Sequence, residues 1–233
     1  MADGYYISKK SKLLKEFDKN IKQVRRVFVT RYGEGLTQAF MREARQEYEA
    51  IIPDLPYLGG KRPFTQFIIS TGWFLAMYRT LKKHGRTVEE AGSLVYEVSE
   101  AFLKAYPGYL RRLVGYMNFS PRYLKKLRER AAESQKPLYP MDYVFTFIEG
   151  DGKTFDYGVD YSACAGCQFL EAQEAPELAP YLCAIDEIYS NQLGWGLVRT
   201  MTIAEGYEKC DFRFKKGGKT NIVLPAALKH EAG

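Results

Sequence analysis

Apolar residues in the first half of the chain recur at helical spacing, whereas in the last third they alternate with polar ones. That change of period organises the sequence. From Ser8 to about residue 136 the pattern reads as helix. Two helical stretches run from Ser8 to Leu55, with Tyr32-Gly-Glu-Gly35 as a break between them and Pro53 and Pro56 closing the region. Pro63 opens a strongly apolar segment, Phe64 to Leu81, in which Phe67, Ile68, Phe74, Leu75 and Tyr78 fall on helical spacing. Lys82, Lys83 and His84 ahead of Gly85 form a stop signal. Thr87-Val-Glu-Glu90 has the form of a capping box for a helix that ends before Pro107. A further helix is expected from about Ser120 to Ser134, with Pro121 in its first turn, where a missing N–H costs nothing.

The period changes at Pro137 to Pro140. Tyr143 to Glu149 reads as a strand, Gly150-Asp-Gly-Lys153 as a turn, and Phe155 to Tyr161 as the returning strand. Helical stretches follow from about Cys164 to Gln173 and from Pro176 to about Gln192, the second stopping near Gly194. Leu197 to Ile203 and Lys209 to Lys215 form a second hairpin around Glu205-Gly206. The expected architecture is α+β: a helical region (residues 1–136) packed as one unit with an α+β region (residues 137–233) of order β-β-α-α-β-β, holding a small antiparallel sheet. The tail after Gly217 is expected to be peripheral.

The chain has 233 residues, 46% hydrophobic and 27% charged, which is ordinary for a globular protein. It contains no run long enough for a transmembrane helix, and its N-terminus lacks the apolar stretch of a secretory signal. The expectation is a cytoplasmic protein, away from membranes, with reduced cysteines. The net charge of +6 raises the question of nucleic acid. Much of the excess lies in amphipathic segments such as Arg122 to Arg130, where Leu124 and Leu127 can face a core and the charges face water. No zinc finger, RNA-recognition signature or Arg/Gly tract is present. A solvated basic face that attracts a small anionic substrate is the simpler reading, with homo-oligomerisation left open.

All four cysteines, Cys164, Cys167, Cys183 and Cys210, lie in the last third. Cys164-Ala-Gly-Cys167 has the spacing of a metal or redox pair, but there is no second such pair and no nearby histidine. Metal ligation would need Cys183 and Cys210 to complete the set, and packing as small hydrophobes competes with it; the expectation is no metal and no cofactor. Cys183 and Asp186 are three apart on one helix face, which offers a nucleophile and a base, or merely a buried thiol and a surface carboxylate. In the last hairpin, alternation sets Arg199 and Met201 on one face and Thr200 and Thr202 on the other, and Cys210, Phe212 and Phe214 opposite Asp211 and Arg213. A turn centred on Gly206 would place Arg199 across from Arg213, with Asp211 beside them, and Cys210 across from Thr202. A slip of one residue would change that pairing. Two arginines and an aspartate on one face make either a solvated ladder or a fork for a carboxylate.

Glu177-Leu-Ala-Pro-Tyr-Leu-Cys183, Asp186, Gly196-Leu-Val-Arg-Thr-Met-Thr-Ile-Ala-Glu-Gly206 and Cys210-Asp-Phe-Arg-Phe214 resemble the L-2-amino-thiazoline-4-carboxylic acid hydrolase family. So does Val144 to Tyr161, leading into Cys164 and Cys167, and the similarity spans residues from about 140 to 216. The resemblance implies opening of a cyclic amidine ring by water to give an N-carbamoyl amino acid. That reaction needs attack at the amidine carbon, protonation of the departing sulfur and a grip on the carboxylate. Arg199 or Arg213 would bind the carboxylate, with Thr202 as a further substrate-binding candidate. Asp186 would activate water, or Cys183 would attack directly, with Cys210 and Cys164 as further candidates. The closing helix and hairpin are also similar, more distantly, to the 4-vinyl reductase domain and its ligand-sensing relatives, which implies a non-catalytic small-molecule-binding module as the alternative. Some of those domains hold zinc through two cysteines eight residues apart. Here the earlier position is Thr202, so that pair is broken.

Overall fold

The computed structural model describes residues 4–60 and 64–229. Among these described residues, eight α-helices and five strands follow in the order α1 (Lys10–Gln23), α2 (Arg25–Ile51), α3 (Phe64–Lys83), α4 (Val88–Lys104), α5 (Gly108–Met117), α6 (Pro121–Ser134), β1 (Val144–Glu149), β2 (Tyr157–Ala163), α7 (Ala165–Ala172), α8 (Ala179–Leu193), β3 (Leu197–Arg199), β4 (Cys210–Phe214) and β5 (Asn221–Ile222). The architecture is α+β, with helices first and the sheet in the last third.

Local chemistry accounts for most boundaries. The break expected at Tyr32 to Gly35 is a kink inside α2 at Gly33, whose φ of 75° suits a residue without a Cβ. Val24 divides α1 from α2, a boundary that nothing in the pattern marked. Pro63, expected to open the third helix, lies outside the described residues. Thr87 caps α4 by accepting from the Glu90 N–H at 3.3 Å. Ser120 caps α6 in the same way, with Pro121 in the first turn. Gly194, in the left-handed region, ends α8.

Helices α1 to α4, α7 and α8 share the main core, in which Phe28, Tyr48, Ile68, Leu75, Leu94, Phe169 and Leu178 are buried. A smaller core joins Leu127 and Ala131 of α6 to Phe145, Tyr157 and Val159 of the sheet, and Leu124 packs against it as expected. The tyrosine of α3 ties the two ends of the chain: the Tyr78 hydroxyl donates to Glu177, just before α8. Among the described residues no helix is long and apolar enough to cross a membrane.

The sheet has the order β1-β2-β4-β3-β5. It is mixed, not purely antiparallel, because β5 runs parallel to β3. The tail after Gly217 is therefore not peripheral. Gly217 and Gly218 turn the chain back through N–H bonds to Gly194 O (2.9 Å) and Lys215 O (2.8 Å). The Thr220 hydroxyl meets the Ser190 hydroxyl of α8 at 2.7 Å, and Leu228 is buried against Tyr181 and Ala184. Helix α5 is a further departure. Its apolar residues Tyr109, Leu110, Leu113, Val114, Tyr116 and Met117 recur at helical spacing, but the face they form is exposed. It docks instead through Gly115, where a Cβ would lie 1.9 Å from the Leu193 carbonyl oxygen of α8.

Candidate functional site

The register of the last hairpin decides which side chains meet. Leu197 pairs with Phe214 and Val198 with Arg213. Continuing that ladder brings Arg199 to Phe212, one residue away from the pairing expected from a turn at Gly206. The physical reason lies in the loop. Thr202 caps a short 3₁₀ turn, Ile203–Glu205, accepting from the Glu205 N–H at 3.2 Å and donating to its carboxylate at 2.8 Å. Asp211 accepts the N–H groups of Thr200 (2.8 Å) and Met201 (2.7 Å) and the Thr200 hydroxyl (2.6 Å) in place of a regular ladder. The loop centre therefore falls between Glu205 and Gly206, and a shift of one residue reverses the partner of every side chain.

Arg199 and Arg213 consequently occupy opposite faces and make no fork. Arg213 lies on the outer face, where it donates to Asp160 at 2.6 Å, beside Lys209, which donates to the same carboxylate at 2.6 Å. Burial opposes ionisation of Asp160, but these two cations outweigh it and hold its carboxyl below the usual range. Thr202 is buried and committed to its turn. Asp211 holds the loop rather than an arginine.

Arg199 points inward with only 2% of its surface exposed. It forms an ion pair with Asp186 of α8, donates to the Cys183 carbonyl at 3.0 Å, and lies 5.1 Å from the Phe212 ring centre. Its Nε has no hydrogen-bond partner among the described residues. Asp186 through its carboxylate and Cys183 through its backbone carbonyl thus both accept from the same guanidinium.

Around this pair the strands and α7 bring the other cysteines. Cys210 lies directly across from Tyr161 on β2, on the face that carries Phe212 and Arg199. Its sulfur accepts the Ile203 N–H at 3.3 Å. Burial pushes the Cys210 thiol up to about 12, and the neighbouring Cys183 and Cys164 add to the rise. Cys164 stands at the N-terminus of α7, one turn ahead of Cys167. The sulfur closes no cap hydrogen bond of normal geometry. The Cys167 thiol nevertheless faces it, backed by the N–H groups of Cys167 and Gly166. Together they hold the Cys164 thiol below its usual range despite its burial. Cys167 is raised, first by donating to Cys164 and then by its contact with Cys183.

Asp186 is deeply enclosed, and that burial raises its carboxyl above the usual range even though Arg199 pulls the other way. A third of its side chain, 34%, is nonetheless accessible. Cys164, Cys167 and Cys183 are also part-exposed. The four cysteines, Asp186 and Arg199 therefore cluster where α7, α8 and the sheet meet. Two tyrosines that sequence reasoning passed over complete the cluster. Tyr161 lies among Cys164, Asp186 and Cys210, and Tyr143 beside Cys164 and Cys167; burial raises both hydroxyls. The signal was present for Tyr161, which alternates with Tyr157 and Val159 on the apolar face of β2. Among the described residues no three Cys, His, Asp or Glu side chains are arranged to hold a metal ion.

A carboxylate with thiols beside it suits attack on an electrophilic carbon with proton transfer to a leaving group. No curated protein and no solved structure gives a match to the chain. The family model described as L-2-amino-thiazoline-4-carboxylic acid hydrolase matches residues 66–214, well over half of the chain, and includes every residue of the cluster. The chain therefore belongs to the L-2-amino-thiazoline-4-carboxylic acid hydrolase family.

Proposed function

We propose that the protein opens the ring of L-2-amino-thiazoline-4-carboxylate, or of a related cyclic amidine acid, by hydrolysis to the N-carbamoyl amino acid. The observation that carries this reading is the clustering of Cys164, whose thiol is held low, with the Asp186 carboxylate paired to Arg199. The Cys164 thiolate attacks the amidine carbon and the ring carbon–sulfur bond breaks, so that the ring sulfur departs as a thiolate. Water adds to the same carbon, and the Asp186 carboxylate takes a proton from it and hands it to the departed sulfur. Cys164 then leaves as a thiolate, so one water is consumed and one thiol is released. Arg199 is a positioning residue here, since its ion pair fixes Asp186. Cys210, raised to about 12, stays a neutral thiol near neutral pH and serves as wall rather than nucleophile.

The test is to incubate the full chain with 2-amino-thiazoline-4-carboxylate and follow N-carbamoyl-cysteine by mass spectrometry. Product forms with the native chain and falls to background with Cys164→Ser and Asp186→Asn. Absence of product from this acid and from other cyclic amidine acids, with folded protein and reduced thiols, would overturn the reading. So would full activity of Cys164→Ser.

A further inference from the structure

Helix α5 is oriented the opposite way from a surface helix of a lone chain: its charged side chains turn inward and its apolar ones turn out. Arg111 and Arg112 are the only charged residues between Ala105 and Pro121. Arg111 donates to the Gln192 side chain of α8. The Arg112 guanidinium lies over Gly194, where a Cβ would stand 2.3 Å from it. Both share a side of α5 with Gly115, which packs on the Leu193 carbonyl. The end of α8 is the cause, because its last carbonyls carry partial negative charge and attract cations.

The other side of α5 is left uncovered. Tyr106 and, within the helix, Tyr109, Leu113 and Met117 follow one another by about a turn along it, with Tyr109 78% and Leu113 59% exposed. Among the described residues, seven of the fourteen large apolar side chains that are exposed lie between residues 106 and 117, and the others are scattered along the sequence. For side chains of this size, the exposed part of the seven sums to roughly 700–800 Å². A monomer seldom shows a contiguous apolar patch beyond a few hundred Å². Each partner in a stable, specific dimer contributes about 800 Å². A second copy of the same face supplies that area, and two such faces meet without burying a charge. A lipid surface matches less well. Helices that lie on anionic bilayers offer Lys and Arg to the headgroups, and both arginines of α5 are turned to α8.

We propose that the outward face of α5 is the contact of a two-fold symmetric homodimer. Leu113, midway between Tyr109 and Met117, lies nearest the axis and so meets its own counterpart. The inference is independent of the ring-opening reading. The test is sedimentation equilibrium of the full chain at micromolar concentration with reduced thiols. The native chain is expected to show twice the chain mass. Leu113→Glu and Leu113→Lys, each setting like charges against one another, weaken association at least about a hundredfold. An equimolar mixture of the two variants recovers the dimer mass, because opposite charges then meet across the axis, and a folding defect does not give that result. Circular dichroism confirms that both variants fold, as expected for an exposed position. Leu138→Glu, at an exposed apolar residue outside α5, leaves the dimer unchanged. A native chain that sediments as a monomer overturns the proposal: if it then floats with phosphatidylserine vesicles the face belongs to lipid, and if it does not, to a different protein. A dimer that survives Leu113→Glu, or a mixture that stays monomeric, overturns it as well.

Discussion

The Arg199–Asp186 pair makes a quantitative test of the site, because one partner is sealed and the other is not. Arg199 is 2% exposed and leans on Asp186, on the Cys183 carbonyl at 3.0 Å and on the Phe212 ring. Two unit charges about 4 Å apart at an effective dielectric of about 20 attract by ~4 kcal/mol. With 34% of the Asp186 side chain accessible, solvent screens the pair, and ~2 kcal/mol is the better figure for their coupling. Asp186→Asn leaves the guanidinium buried without its counter-charge and should cost ~3 kcal/mol, at the low end for a broken buried pair. Arg199→Met keeps an apolar stem and leaves a carboxylate that water can still reach, so it should cost less, ~2 kcal/mol. The double variant should then cost ~3 kcal/mol rather than the ~5 kcal/mol of independent sites. Urea unfolding followed by circular dichroism, with an unchanged slope against denaturant, measures all three. A coupling below ~0.5 kcal/mol would place the pair with surface salt bridges and refute the burial argument. An Arg199→Met variant costlier than Asp186→Asn would refute the claim that the arginine is the sealed partner.

Brief alkylation with iodoacetamide near neutral pH, followed by peptide mapping, should modify Cys164 about tenfold or more ahead of Cys167 and Cys210, whose thiols are raised; equal labelling would contradict the geometry at α7. The rate should rise with pH as Cys164 loses its proton, at a lower pH than an ordinary thiol would give, and a rise no earlier than that would contradict the geometry at α7. For stability the sign is separate. Asp186 has a raised folded-state pKa, so its contribution is full below the usual carboxylate range and declines as pH rises through the folded value. Gly115→Ala should cost ~2 kcal/mol and lower the melting temperature by roughly 4–8 °C, because its Cβ would lie 1.9 Å from Leu193 O; an unchanged melting temperature would show that α5 is loosely docked. Leu228→Ala should cost ~3 kcal/mol, whereas the exposed neighbour Lys229→Ala should cost almost nothing.

Helices α3, α4 and α6 were legible because cap, period and stop signal agreed in each: Thr87 caps one and Ser120 another, and both bonds form. Helix α5 has its apolar residues at helical spacing, but what was not legible is its docking, because that contact is made by a residue with no side chain. Gly115 fits against a backbone carbonyl, and its neighbours Leu113, Val114 and Met117 stay exposed. Periodicity reports buried side chains and is silent where backbone meets backbone. The same limit hid β5. Two residues, Asn221 and Ile222, are too few to show alternation, and they are placed by the glycine turn before them and by the Thr220–Ser190 contact.

For the candidate residues, spacing and alternation left the arrangement open, and the difference turns on one residue of register. Alternation alone put Arg199 and Arg213 on strands of one hairpin but could not say whether they shared a face. That depended on Asp211 capturing the N–H groups of Thr200 and Met201, and on Thr202 folding the loop into a 3₁₀ turn. With the pairing expected from a turn at Gly206, both arginines would face a ligand and Asp186 would stand alone on α8. With the observed pairing, one arginine goes to Asp160 on the outside and the other goes inside to Asp186. The buried guanidinium is then fixed by the Asp186 carboxylate and the Cys183 carbonyl of α8. A hairpin that alternation alone would read as a carboxylate-binding fork holds, in the folded chain, a carboxylate of α8.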